Sequence, residues 1–111
     1  MLSSFIQPFL DYCHNLCYAE KSVKELRRYI SAFNEFVNKQ PLTEIKHIQY
    51  NHLLNFATSA PATASTVKAR VWTLKKFYGF LIVKSYIKGN IKNSKYQPQI
   101  IFFHIYTHSK K

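Results

Sequence analysis

Between Val23 and Val37, apolar residues recur at Val23, Leu26, Ile30, Phe33 and Val37, in alternating steps of three and four. That spacing lines one side of a 3.6-residue helix and is incompatible with a strand, whose faces alternate at every second residue. The same rhythm returns at Val67, Val71, Leu74, Phe77, Tyr78 and Leu81. Two amphipathic helices therefore dominate what the chain can become. With only two glycines and four prolines there is little material for tight hairpins.

Two further helices fit around these. "QPFLDYCHNLC" puts Phe9, Leu10, Cys13, Leu16 and Cys17 on a helical stripe, so a first helix is expected from Pro8 to Cys17, with the proline in the first turn. Ser22 followed by Glu25 reads as a capping box, which would start the second helix at Ser22 and let it run until shortly before Pro41. Tyr29 and Phe36 widen its apolar stripe, and Lys24, Arg27, Arg28 and Glu35 take the exposed face. "QYNHLLNFA" gives a short third helix with Tyr50, Leu53, Leu54 and Ala57 inward. After the loop "TSAPATAS", Ser65 or Thr66 is expected to cap the fourth helix, on which Lys68, Trp72 and Lys75 share a second face. Gly89 marks the stop of that helix or of a turn after it.

The expected fold is thus all-α, a compact four-helix domain over residues 1–91. Residues 92–111 form an irregular or strand-like, basic and apolar tail. Within it, 100–106 has high β propensity and no Lys, Arg, Asp or Glu, which makes it a sticky segment. At 111 residues and 47% hydrophobic, the chain can bury a real core.

Charge is spread unevenly. Residues 1–20 hold two acids and no Lys or Arg, residues 21–60 six bases against three acids, and residues 61–111 ten bases and no acid. A field this one-sided attracts polyanions, nucleic acid first among them.

Other chemistries find little support. Cys13 and Cys17, four apart, would share a helix face as buried, reduced thiols; His14 points off that face, and no second pair completes four zinc ligands. The N-terminus has no basic region before an apolar stretch, and the longest apolar run is far below the ~20 residues of a membrane span. A cytoplasmic protein without membrane contact is the expectation. Asp11 and the four glutamates are scattered on exposed faces, no glycine-rich phosphate loop exists, and no HExxH motif occurs. No cofactor, metal, small-molecule substrate or autonomous enzymatic activity is expected.

The order of the pieces carries a resemblance. "FLDYCHNLCYAEKSVKELRRYISAFNEFV", then "PLTEIKHIQYNHLLNFA", then "STVKARVWTLKKFYGFLIVKSYIKGNI" resembles the N-terminal core-binding (SAM-like) domain of tyrosine recombinases, or phage integrases, over about residues 5–91. Ile91 stands where that family usually has proline. The resemblance implies a DNA-binding module for integration and site-specific recombination, with double-stranded DNA as partner. By position it implies contacts from Lys21, Ser22, Lys24 and Arg28 at the start of the second helix, with Ser22 also offering a helix N-terminus to phosphate. From the fourth helix it implies Ser65, Thr66, Lys68, Arg70 and Lys75, with Arg70 placed to read a guanine edge.

In the same family the catalytic tyrosine commonly lies in a stretch resembling "IYTH", which Tyr106 matches in this chain. Its phenol oxygen would attack a backbone phosphate, but the cations that must clamp that phosphate come from a catalytic domain this sequence lacks. Tyr106 is either a remnant of an internally deleted or truncated recombinase or a coincidence of four common letters, and inert in both cases. The alternative function is a helical interaction module whose tail docks on a partner, either a full-length recombinase or a second copy. RNA binding is disfavoured because Tyr29 and Phe77 fall on core stripes rather than on an open stacking platform.

Overall fold

A computed structural model describes residues 2–60 and 63–86. Among them all regular structure is helical: α1 (Ser3–Asn15), α2 (Glu20–Asn38), a 3₁₀ turn (Ile45–His47), α3 (Tyr50–Ala57) and α4 (Ala64–Val83). The described residues adopt the expected all-α, four-helix architecture. The tail, its 92–111 boundary, Gly89 and Tyr106 lie outside the described residues. The chain divides into two compact units between His47 and Ile48.

In the first unit α1 packs against α2. Phe9, Leu10 and Cys13 of α1 are buried, as are Leu26, Ile30, Phe33 and Val37 of α2. The α2 stripe is thus the one its spacing predicts, except that Val23 is only half-buried. α1 starts five residues earlier than expected, and Pro8 lies inside it rather than in its first turn. Two contacts account for the extension: Leu2 is fully buried, and its N–H donates to Oδ1 of Asn34 on α2 at 2.9 Å. Pro8 costs α1 one backbone bond, but Ser4 and Pro8 both face water, which can serve the freed carbonyl.

α2 also begins early, at Glu20 after Ala19, so the expected capping box at Ser22 does not form. Glu25 turns instead to Arg28, 3.0 Å away. Glu20 in the first turn gives the helix a favourable carboxylate at its positive end.

The expected pair of buried thiols is half right. Cys13 is buried, but α1 ends at Asn15 and Cys17 lies beyond it, exposed, at φ 65°. There the N–H of Cys17 donates to the His14 carbonyl (2.9 Å) and that of Tyr18 to the Cys13 carbonyl (3.3 Å). This pair of bonds closes a helix through one left-handed residue, a place usually held by glycine. α4 ends the same way: Ser85 has φ 61°, its N–H bonds to Ile82 (3.0 Å), and that of Tyr86 bonds to Leu81 (2.8 Å). A left-handed residue with a Cβ costs roughly 1–2 kcal/mol. Ser85→Gly should therefore stabilise the protein by about 1 kcal/mol, seen as a rise of about 4–8 °C in a thermal melt. A fall in melting temperature would contradict this end geometry.

In the second unit α3 packs against α4. Leu53, Phe56 and Ala57 are buried on α3, whereas Tyr50, expected inside, is exposed. All six residues of the predicted α4 stripe are buried, joined by Thr73 and Phe80. The buried arc of α4 is thus about half its circumference, wider than the stripe alone. Phe77 meets Tyr78 edge-on at 5.9 Å between centroids, and Phe80 lies against Tyr86 at 5.8 Å. The α4 cap is Thr63, earlier than Ser65 or Thr66; its Oγ1 accepts the N–H of Thr66 at 3.2 Å. Among the described residues no helix is long and apolar enough to cross a membrane.

Candidate nucleic-acid interface

Basic side chains leave α2 and α4 in directions fixed by the helical turn of about 100° per residue. On α2, Lys21, Lys24 and Arg28 fall within an arc of about 60°, and all three are exposed. Ser22 lies about 100° from Lys21 and is half-buried as the third helical residue, so the helix N-terminus it was expected to offer belongs to Ala19 and Glu20 instead. Arg28 is partly engaged already. Its Nη2 contacts Glu25 and donates to the Tyr29 hydroxyl (3.0 Å), while the guanidinium sits 4.7 Å from the Tyr29 ring centroid. The side chains of Lys21 and Lys24 form no ion pair or hydrogen bond among the described residues.

On α4, Lys68, Trp72 and Lys75 fall within an arc of about 60°, with Ser65 beside them. Ser65, Lys68 and Lys75 are exposed and Trp72 is half-buried. Lys68 and Lys75 likewise form no ion pair among the described residues. The sequence explains why: Glu44 is the last acidic residue, so no Asp or Glu side chain exists in the second unit to neutralise them.

The other two expected contacts point away from this face. Thr66 is taken up in the α4 cap, with its Oγ1 3.0 Å from that of Thr63. Arg70, expected to read guanine, is half-buried and closes the end of α3 instead. Its Nη1 donates to the carbonyls of Ser59 (2.7 Å) and Ala57 (3.2 Å), and its guanidinium lies 5.6 Å from the Phe56 ring centroid. Thr58 Oγ1 serves the Leu54 carbonyl and Ser59 Oγ that of Phe56, so side chains satisfy much of the final turn. A cation at this end also meets the negative pole of the helix. The periodicity held the warning: Arg70 is two residues from Lys68, about 200° around the helix, and the two cannot share a groove-facing side.

Trp72 was visible in sequence on the lysine face but left out of the expected contacts. Gly79, which stands alone and makes no phosphate loop, falls on the same face one heptad beyond Trp72; a Cβ there would meet nothing within 4 Å among the described residues. Among the described residues no group of three or more His, Cys, Asp or Glu could hold a metal. His104 and His108, four apart, lie outside the described residues.

Among the described residues the exposed lysines of α2 and α4 can grip a polyanion. A family model described as the phage integrase N-terminal SAM-like domain matches residues 6–85. No curated protein and no solved structure matches the chain.

Proposed function

The chain belongs to the N-terminal SAM-like domain family of phage integrases, and we propose that it grips duplex DNA for a recombinase without carrying the cutting chemistry itself. The observation that carries this reading is the α4 face. Two exposed lysines without ion pairs among the described residues stand in a unit that has no acidic side chain. Such cations gain most by replacing the counterions condensed on a phosphate backbone.

Lys21 and Lys24 on α2 add a second basic face, with Arg28 a weaker member because Glu25 already neutralises part of it. Ser65 stands beside Lys68 as a hydroxyl donor to phosphate. Arg70 and Thr66 serve as positioning residues that fix α3 and the start of α4. Residues 1–91 make up the DNA-binding domain in this reading, and 92–111 a separate tail.

The test is fluorescence anisotropy of a labelled duplex with wild type and with Lys68→Ala plus Lys75→Ala. Wild type should bind at about 10⁻⁴ to 10⁻⁶ M or tighter, and the double variant several-fold more weakly with unchanged circular dichroism. A folded wild-type protein that leaves the duplex unbound in low salt would overturn the proposal.

A further inference from the structure

We infer that Trp72 is the base-reading residue of the α4 face, and that it reads the 5-methyl group of thymine in the major groove of duplex DNA. The inference rests on the DNA-binding function proposed above and adds to it which side chain discriminates sequence.

Trp72 is the chain's single tryptophan. It is half-buried, so its body is anchored while part of the indole remains at the surface. Among the described residues its side chain makes no hydrogen bond, ring stack or cation–π contact. That sets it apart from Phe77, Phe80 and Tyr86, whose rings meet one another. Lys68 lies one turn before it, a rise of about 6 Å, and Lys75 three residues after it, about 4.5 Å. Two exposed lysines thus flank a half-buried indole on one narrow face.

Gly79 extends the same face. Among the described residues nothing needs a glycine there, since a Cβ would meet none of their atoms within 4 Å, and mid-helix glycine costs about 1 kcal/mol against alanine. A bare backbone about 10.5 Å further along that face does allow a partner to come close.

Charge complementarity names the partner. Lys68 and Lys75 call for phosphates on either side of Trp72, and an α-helix fits the major groove of B-DNA. The apolar group displayed on the base edges there is the thymine methyl. Edge contact suits a half-buried indole, whereas stacking on an unpaired base needs an open ring face.

The test compares three labelled duplexes: alternating A·T, the same duplex with deoxyuridine replacing thymidine, and alternating G·C. Wild type should bind the thymidine duplex about fourfold more tightly than the deoxyuridine duplex, the value of one buried methyl group. Trp72→Leu, checked for folding by thermal melt, should bind those two duplexes more nearly alike. As the sole tryptophan, Trp72 should also change its emission on binding and become shielded from acrylamide. Equal wild-type affinity for the thymidine and deoxyuridine duplexes would overturn the inference and leave DNA binding standing. So would a variant that keeps the full preference. Failure to bind any of the three duplexes would instead overturn the proposed function itself.

Discussion

Raising monovalent salt from about 50 to about 200 mM should cost the chain roughly 150-fold in affinity for duplex DNA. The figure follows from four lysines. Lys21, Lys24, Lys68 and Lys75 are exposed and form no ion pair among the described residues. If each neutralises one phosphate, log K falls against log salt with a slope of about −3.6. Arg28 contributes less, because the exposed Glu25 at 3.0 Å already shares its charge. Lys68→Ala plus Lys75→Ala should flatten the slope by about 2, so wild type and variant converge as salt rises. Anisotropy over a salt series measures both quantities. A wild-type slope shallower than about −1, or one the double variant leaves unchanged, would remove these lysines from the interface.

Replacing Arg70 should act on stability rather than on the salt slope. Arg70→Ala withdraws the donor from the carbonyls of Ala57 and Ser59 and strips a cation from the end of α3. Hydrogen bonds to charged groups contribute about 1.5–3 kcal/mol, and orphaned acceptors add to the loss. The expected destabilisation is about 2–3 kcal/mol in urea unfolding, a large share of an ordinary domain's 5–15 kcal/mol. Arg70→Lys should recover only part of it. An ammonium supplies donors but not the planar group that lies against Phe56. Where Arg70→Lys remains folded, its salt slope on DNA should match wild type. Unchanged stability in Arg70→Ala together with a flatter slope would return Arg70 to the DNA.

Helix faces proved more legible than helix ends. The α4 stripe from Val67 to Leu81 and the α2 stripe from Leu26 to Val37 are buried as their spacing predicts, because a 3.6-residue repeat encodes direction locally. Ends depend on competition. Ser22 and Glu25 have the letters of a cap, yet Glu25 has a cationic partner one turn on, and α2 continues back to Glu20. Pro8 has the usual place of a first-turn proline, yet buried Leu2 draws α1 five residues further. Cys17 continues the apolar spacing of α1, yet the backbone turns left-handed beneath it.

The amino-acid order alone determined the all-α class, the membership of the integrase-domain family and the unopposed positive charge after Glu44, since each is a property of spacing or of composition. It also held the 200° between Lys68 and Arg70, which needs only the helical repeat. Tertiary structure decided what those directions mean. Arg70 serves carbonyls 11 and 13 residues away, and Leu2 bonds to Asn34 across 32. No local pattern reports such partners, because a buried or half-buried donor goes to whichever acceptor the packed chain brings within reach, and leaving that acceptor unmet costs more than leaving a surface phosphate unbound.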